Sequence, residues 1–415
     1  MRFTPIRKMS VILDIEGGQR NLGTLAWSSD ERRAYFEYSA EFLAAPPLLV
    51  SPFNLKANPG LHAAPRDPFD GLHGLFNDSL PDGWGRLLLD RRLQRAGIDY
   101  HLLTPLDRLS AVGKNGMGAL AYIPELPDEK KLVDNMDWDW FVEQVELVQA
   151  EMDTADLDTL QGAQGGSAGA RPKIMIGFNP ANTAFVIDYG QDMQRGFDRW
   201  MVKARSVGDP IDIGVEEQAY ALMARAADLE MAETRVFNTK KGNRLFATKR
   251  FDRTPAGRQH MHTASGILNA NHRQASLNYE HLHKLTFMMT RDSSEVLRMF
   301  RHMVFNVYAR NRDDHAKNHA FLMRADGRWR LSPAYDLTFS DGPGGEHSAE
   351  IAGEGRNPGV QHMLAVARAA SIPERDAKHV IDEVRTAIER WPQFAEQAGL
   401  SKSRTNELDR ILNNR

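Results

Sequence analysis

Residues 311–336 read NRDDHAKNHAFLMRADGRWRLSPAYD, and this stretch decides how the whole chain is interpreted. Its Asp326-Gly327 pair lies between two short apolar segments and predicts a hairpin with a two-residue type I′ turn. Symmetric pairing about that turn places Asn318 opposite Tyr335, with Asp336 beside it. The sequence therefore predicts that the two polar ends of this stretch meet at the mouth of one hairpin.

The polar ends carry the residue types that phosphoryl transfer requires. Asp336 and Asn318 supply a carboxylate and a carboxamide, an oxygen-rich pair of the kind that holds Mg²⁺ against phosphate groups. Asp313 lies earlier on the same loop, where it is placed to accept a proton from an attacking hydroxyl. Each residue alone is equally typical of a polar turn, so the prediction rests on the set.

A glycine-rich segment, QGAQGGSAGARPK at 161–173, is the second candidate element. Its glycines do not form G-x-G-x-x-G, and glycines mark ordinary turns more often than phosphate sites. The apolar runs that follow predict an antiparallel meander, and Lys203 lies on one of its strands. Because a buried lysine needs a partner, we expect Glu217 on the next helix to pair with Lys203 beside nucleotide phosphates. The alternative is a lysine that snorkels from an edge strand.

Composition limits the functions that the chain can have. Lys and Arg number 52 against 55 Asp and Glu, a formal net charge of -3, which excludes a global positive excess for unaided nucleic-acid or lipid binding. Cysteine is absent, which excludes disulfides and thiolate metal sites and fits a reducing compartment, so we expect a cytoplasmic protein. No apolar run is long enough for a signal peptide or a membrane span.

The 415 residues suggest three units. We expect an α+β subdomain at 1–150, a small lobe with the glycine-rich segment at 151–253, and a mainly helical catalytic lobe at 254–415. The first unit opens with short strands and continues with a helix at 83–96, whose arginines are interpreted as a solvated face. The last unit is predicted to contain five helices, with β-structure only in the hairpin described above.

Two histidine-containing patterns allow other interpretations. His260 and His262 would share one face of a strand, but no acidic or cysteine ligand is near in sequence, so we predict surface histidines. Asp313-Asp314-His315 is also typical of metal-dependent phosphoesterases and nucleases, which keeps that class of enzyme open.

Taken together, these residues resemble the HipA family, the toxin kinases of bacterial type II toxin–antitoxin systems. The matching segments run in the family's order along most of the chain: 80–84 (LPDGW), 113–120, 169–173 (GARPK), 200–203 (WMVK), 217–224, 250–253 (RFDR), 313–318 (DDHAKN) and 333–336 (PAYD). The resemblance implies an α+β, protein-kinase-like two-lobed fold with a β-rich N-terminal subdomain and an all-α C-terminal lobe. It also implies a serine/threonine kinase that uses ATP and Mg²⁺.

The resemblance assigns a role to each candidate residue. Asp313 is implied as the catalytic base, and Asn318 and Asp336 as the Mg²⁺ ligands. The implied ATP-binding residues are Gly165, Gly166, Ser167, Ala168, Gly169, Lys203, Glu217, Arg250 and Phe251. At the adenine-binding hinge the family often has Glu, whereas this chain has Lys249.

Family members can autophosphorylate a serine of the glycine-rich loop. The added charge of about -1.5 to -2 cannot share the site with the ATP phosphates, so the kinase is silenced. Ser167 is the only hydroxyl residue between Gln161 and Lys173, although the family's serine position falls at Gly166. We therefore predict Ser167 as the autophosphorylation site, shifted by one residue.

Partners are also implied by the resemblance. A small helix-turn-helix antitoxin, HipB-like, would carry the complex to operator DNA, which agrees with the balanced charge of this chain. Known family targets are aminoacyl-tRNA synthetases, so growth arrest and persistence through a translation-related protein are expected. Two alternatives stay open: a kinase-like corepressor scaffold with little catalysis, and a metal-dependent phosphoesterase or nuclease.

Overall fold

The computed structural model describes residues 4–46, 48–125, 137–166, 169–181, 183–190, 192–271 and 277–413. Ser167 and Ala168, two of the predicted ATP-binding residues, lie outside these ranges. Across the described ranges, no helix combines the length and apolar character needed to cross a bilayer.

The N-terminal region is built on an antiparallel sheet. Its strands are β1 (Lys8–Ile15), β2 (Gly18–Ser28), β3 (Arg33–Tyr38), β4 (Leu61–Ala63) and β5 (Leu120–Ile123), and its helices are α1 (Ala40–Ala44), α2 (Gly74–Asn77), α3 (Gly83–Arg95) and α4 (Pro105–Val112). The strand order is β4-β3-β2-β1-β5. Alternate residues of β1, from Met9 to Ile15, are buried, so one face of the sheet covers a hydrophobic core.

Helix α3 confirms the helix predicted at 83–96, but three of its four arginines contact the small lobe instead of facing only solvent. Arg92 forms an ion pair with Asp158 at 2.6 Å, and Arg95 donates to the Ala155 carbonyl at 2.7 Å. Trp84 on the same helix is buried in the core of the small lobe. The helix therefore attaches the N-terminal region to the small lobe, which its own periodicity could not indicate.

The small lobe confirms the predicted meander and adds one strand to it. Its strands are β6 (Lys173–Asn179), β7 (Ala184–Ile187), β8 (Asp198–Lys203), β9 (Thr234–Asn238) and β10 (Arg244–Lys249), and its helices are α5 (Trp138–Gln149), α6 (Leu157–Gln164) and α7 (Ile213–Ala226). The antiparallel order is β7-β6-β8-β10-β9, so β8 is the central strand. Its register places Lys173 directly opposite Lys203.

The third region is mainly helical, as predicted, and also carries short strands. These are β11 (Arg253–Thr254), β12 (Gly257–Arg258), β13 (His260–Thr263), β14 (Ala320–Met323) and β15 (Trp329–Leu331). The helices are α8 (Ala264–Leu268), α9 (Tyr279–Thr290), α10 (Ser293–Tyr308), α11 (Val360–Ala369), α12 (Glu374–Glu389), α13 (Trp391–Ala398) and α14 (Lys402–Asn413). Strands β13, β14 and β15 form one sheet, which delivers the predicted hairpin to the side of the lobe that faces the small lobe.

The turn of that hairpin is one residue longer than predicted. Leu322 pairs with Arg330, and Arg324 N–H donates to the Arg328 carbonyl at 3.0 Å. Gly327 has a φ of +81°, the left-handed conformation that follows a type I turn in three-residue hairpin loops. The predicted type I′ turn is therefore wrong, although the polar ends of the hairpin still meet.

The histidines of β13 are buried, so their predicted surface position is wrong. His262 Nδ1 lies 2.6 Å from Asp78 Oδ2, and its Nε2 lies 3.2 Å from Ser51 Oγ. His260 Nε2 lies 2.9 Å from the Val50 carbonyl oxygen. These contacts fasten the N-terminal region to the helical lobe through partners that are remote in sequence.

Candidate active site

The small lobe, the helical lobe and the N-terminal region enclose a cleft of about 540 Å³. This volume lies within the range of small-molecule and cofactor sites. Of the residues predicted from the sequence, the cleft is lined by Gly169, Lys203, Glu217, Arg250, Phe251, Asp313, Asn318 and Asp336. The fold therefore brings the two predicted elements, the glycine-rich segment and the Asp/Asn loop, to one place.

Lys203 lies at the centre of the charge network in this cleft. Its Nζ is 2.7 Å from Glu217 Oε2 and 2.6 Å from Asp336 Oδ1. Burial opposes the charge, yet the carboxylates of Asp336 and Glu217 together raise the pKa of Lys203. The predicted lysine–glutamate pair thus forms, and the edge-strand alternative is excluded because β8 is the central strand.

Asp336 adopts a conformation that is uncommon for a residue other than glycine. Its φ is +57°, and non-glycine residues in such regions cluster at functional sites. The ammonium group of Lys203, with Lys173 and Arg171, holds the pKa of Asp336 well below its usual range, although burial opposes this. The Asp336 carboxylate is therefore in its charged form at neutral pH.

Two further cations of the cleft, Lys173 and Arg171, lie in the 165–173 segment that the resemblance implied as the phosphate loop, but neither was given a role of its own. Burial, followed by the neighbouring Lys203 charge, lowers the pKa of Lys173 to about 8. Arg171 Nη1 lies 2.8 Å from Glu217 Oε1. The signal was available in the R-P-K sequence between the glycines and β6, but single cations in a loop are too common to stand out. Together these cations form a positive wall suited to a polyphosphate.

Asp313 lies at the mouth of the cleft with its side chain 57% exposed. Burial of the remaining part, with the charges of Asp336 and Asp314, raises the pKa of Asp313, and His315, whose Nε2 lies 3.8 Å away, opposes the shift. The Nδ2 of Asn318 donates to the Asp313 carbonyl at 2.6 Å and so fixes the curvature of the loop. A carboxylate of raised pKa on a rigid loop suits a general base.

The adjacent Asp314 points into the helical lobe and acts as an anchor. Its Oδ2 accepts a hydrogen bond from the Tyr279 hydroxyl at 2.9 Å and lies 2.8 Å from His347 Nδ1. Its Oδ1 accepts from the Ser348 N–H at 2.8 Å. The phosphoesterase interpretation needed Asp313, Asp314 and His315 to converge, and the structure separates the two carboxylates.

The donor set of the cleft fits a magnesium ion that is shared with a nucleotide. Within the described part of the chain, no group of three His, Cys, Asp or Glu side chains is placed to hold a metal alone. Mg²⁺ bound to substrate phosphates needs only one or two protein carboxylates. Asp336 would supply one, and Asn318, whose amide nitrogen already donates to the Asp313 carbonyl, would supply its Oδ1.

The described glycines of the predicted phosphate loop divide into two groups. Gly169, with a φ of +104°, lines the cleft, and a Cβ at that position would lie 2.4 Å from Lys173 Nζ. Gly165 and Gly166 instead line a separate small cavity with Asn115. Their contact with ATP stays a prediction, as does that of Ser167 and Ala168 outside the described ranges.

The two residues of the predicted hinge differ: the Arg250 side chain is bonded within the protein, and the Phe251 ring lines the cleft. The guanidinium of Arg250 pairs with Asp252 at 2.8 Å and donates to the Gly116 carbonyl at 3.2 Å. Because the side chain is engaged in this way, we expect Arg250 to contact a ligand through its backbone. The Phe251 ring lines the cleft with its centroid 5.7 Å from that of Tyr335. Both rings line the cleft, and the role of this segment as an adenine-binding hinge stays a prediction.

A five-stranded antiparallel sheet carries Lys203, helix α7 beside it carries Glu217, and both face a helical lobe that supplies the Asp/Asn loop and a downstream Asp. This combination defines a kinase-like two-lobed protein with an added N-terminal region. The chain belongs to the HipA family: the family model of the HipA-like C-terminal domain matches residues 165–391, and that of the HipA N-terminal domain matches residues 13–123.

Two similar proteins place this membership in context. The structure of the Shewanella oneidensis MR-1 toxin–antitoxin system HipA, HipB and its operator DNA complex covers 97% of this chain and 95% of that chain, with a TM-score of 0.69 and 15% identity. That likeness shows the fold. A Sinorhizobium fredii protein, Y4dM, whose name describes it provisionally as a kinase, is 27% identical over 195 residues, or 43% of this chain. The match covers 47% of Y4dM, so the chain spans less than half the length of this curated relative.

Proposed function

We propose that this chain is an ATP-dependent serine/threonine protein kinase that acts as the toxin of a type II toxin–antitoxin system. One observation carries the proposal: Lys203 Nζ lies 2.7 Å from Glu217 and 2.6 Å from Asp336 in the cleft that Asp313 and Asn318 also line. A base, a phosphate-directed lysine and two oxygen ligands for Mg²⁺ are the parts that phosphoryl transfer uses. Membership in the HipA family supports the same function.

The mechanism follows from what each side chain can do. Lys203, oriented by Glu217, holds the nucleotide phosphates, and Asp336 with Asn318 would hold Mg²⁺, which neutralises charge on the transferred group when bound. Asp313 orients the target hydroxyl and accepts its proton, for which a raised pKa is suitable.

The partners follow from the fold relationship and from charge. The Shewanella structure is a complex of HipA with HipB and operator DNA, and we extend this assembly to the present chain. With a net charge of -3, the chain would reach DNA through a HipB-like antitoxin rather than by itself. A translation-related protein such as an aminoacyl-tRNA synthetase is the proposed target, and Ser167 the proposed inhibitory autophosphorylation site.

The test is transfer of labelled γ-phosphate from ATP, in the presence of Mg²⁺, to serine or threonine of the protein itself and of proteins in a bacterial lysate. We expect Lys203→Met to lower the transfer by about 10²-fold or more, because charge stabilisation of this kind is worth several kcal/mol. Lys240→Met is the matched control, since Lys240 is an exposed lysine of the small lobe that pairs with Asp137 at 3.0 Å outside the cleft. ATP binding by the wild type without any transfer would contradict the kinase proposal and favour the corepressor scaffold.

A further inference from the structure

Asp82 occupies a helix-capping position without capping its helix. It is the residue before α3, where an Asp side chain ordinarily accepts a hydrogen bond from the N–H groups of the first turn. The Asp82 carboxylate makes no such bond. Instead, Oδ1 accepts from the Gly169 N–H, and Oδ2 lies 3.0 Å from Lys317 Nζ. A side chain that could stabilise its own helix is thus engaged with two other parts of the molecule.

The backbone around Asp82 docks on the same loop. A Cβ on Gly83, whose φ is +43°, would lie 2.5 Å from Ala170 Cα, so this approach requires glycine. The Trp84 N–H donates to the Gly169 carbonyl at 3.3 Å. The 82–84 segment therefore holds the cleft-lining end of the glycine-rich loop by its backbone as well as by the Asp82 carboxylate.

At its other end, Asp82 reaches the loop that carries the proposed base. Lys317 directly precedes Asn318, lines the cleft, and has a side chain that is 8% exposed. The Tyr335 hydroxyl donates to the Lys317 carbonyl, which fixes the backbone at that point. Burial alone would raise the pKa of Asp82, but Lys317, the Gly169 amide and Lys173 together lower it, so the carboxylate is charged.

We infer that Asp82 is a positioning residue that sets the glycine-rich loop and Lys317 in register with each other, so that the N-terminal region belongs to the catalytic unit. Its catalytic consequence rests on the proposed kinase function. The loop comes from the small lobe and Lys317 from the helical lobe, and Asp82 bridges them from a third region. Misplacement of reacting groups by about 1 Å can cost about 10²-fold in rate.

A rate cycle tests this coupling. We expect Asp82→Ala to lower kcat by about 10²-fold in the wild-type background and to have no further effect in a Lys317→Met background, because both changes break one link. Asp90→Asn is the matched control, since Asp90 lies on the same helix and pairs with Arg108 at 2.7 Å outside the cleft. A wild-type kcat in folded Asp82→Ala, or losses that add in the double variant, would overturn the inference.

Amide hydrogen exchange of the nucleotide-free protein gives a readout that does not depend on activity. We expect the Gly169 amide to exchange at least about tenfold faster in Asp82→Ala than in wild type or Asp90→Asn, because its acceptor is lost. Asp82→Asn, which preserves the fold if Asp82→Ala does not, should retain Gly169 protection through Oδ1 and still lower kcat. Unchanged protection in Asp82→Ala would refute the link itself, whereas a wild type that transfers no phosphate would refute only the kinase proposal.

Discussion

Two adjacent carboxylates of the loop at 311–318, Asp313 on its cleft side and Asp314 on its core side, differ in exposure and in their partners. On the cleft side, Asp313 is half-exposed, has a raised pKa and lies 3.8 Å from His315 Nε2. On the core side, Asp314 is fully buried and is held by Tyr279, His347 and Ser348. The Asp313 carboxylate, which the core does not bury, is therefore the one that a substrate in the cleft can reach.

This difference shows how one loop can be both rigid and reactive. A buried carboxylate that accepts several hydrogen bonds fixes the backbone on either side of it. The neighbouring side chain, that of Asp313, is then held toward the cleft by a fixed backbone. Preorganised catalysis requires such fixed positions of its reacting groups. Substitutions on the cleft side should therefore lower activity, and substitutions on the core side should lower stability.

The largest effect is expected on the cleft side, for Asp336→Asn. Asn tolerates the left-handed backbone at this position, so the fold should persist while the proposed metal ligand is lost. We expect phosphoryl transfer to fall by about 10²- to 10³-fold, since metal-ion stabilisation is worth several kcal/mol. Steady-state kinetics with ATP and Mg²⁺ measure this. Asp326→Asn, in the exposed hairpin turn, is the control and should match wild type.

The next effect is expected on the core side, for Asp314→Ala. Loss of the carboxylate leaves the Tyr279 hydroxyl and the Ser348 and Ala349 N–H groups without their acceptor. We expect the free energy of unfolding to fall by at least about 3 kcal/mol, because each unsatisfied buried donor costs about 1 to 3 kcal/mol. Urea denaturation measures the loss. A variant as stable as wild type would show that Asp314 is not an anchor.

A smaller core-side effect is expected for Tyr279→Phe. The Tyr279 hydroxyl donates to Asp314 Oδ2 and accepts from Asn306 Nδ2, both at 2.9 Å. Its removal should cost about 1 to 2 kcal/mol of unfolding free energy and leave kcat within about twofold of wild type. Urea denaturation and steady-state kinetics on the same preparation measure the unfolding free energy and kcat. A kcat loss much larger than the stability loss would mean that the two sides are not separable.

The smallest effect concerns the pH dependence of stability at Asp313. A carboxyl whose folded pKa is raised binds its proton more tightly when folded, so it contributes stability at low pH that is lost as pH rises through the raised pKa. Asp313→Asn should therefore be slightly more stable than wild type at pH 7, by less than about 0.5 kcal/mol because the group is half-exposed. Thermal melts at pH 7 and below pH 4 measure the difference, which should vanish at low pH. A less stable variant at pH 7 would contradict the raised pKa.

The sequence was sufficient to predict contacts between residues that lie close to each other along the chain. Asp313 and Asn318 lie on one loop, and Lys203 and Glu217 are 14 residues apart on consecutive elements, so strand and helix periodicity was enough to bring them together. The exception at short range was the hairpin turn, because Asp326-Gly327 also fits a three-residue loop with a left-handed glycine, in which Ala325 is the added residue and the register shifts by one. The roles of these residues stay predictions until they are tested.

Contacts between regions could not be predicted in the same way. Asp82 and Lys317 are 235 residues apart, and His262 and Asp78 are 184 apart, so neither pair leaves a periodic signal. The same holds for Arg91, Arg92 and Arg95 of α3, whose partners lie in another region. Because charged residues are mostly exposed, a charged residue on a predicted helix is assigned to the solvent face until the surface that covers it is known.

The measurement that tests the central claim most directly is the intact mass of the protein before and after incubation with ATP and Mg²⁺, for wild type, Asp313→Gln and the control Asp326→Asn. We predict that wild type and the control gain the mass of a phosphate group, and that peptide mapping locates it at Ser167. Asp313→Gln should gain none while it still binds ATP and melts like wild type. Phosphate transfer that persists in Asp313→Gln at the wild-type level would contradict the assignment of the cleft side as the catalytic side.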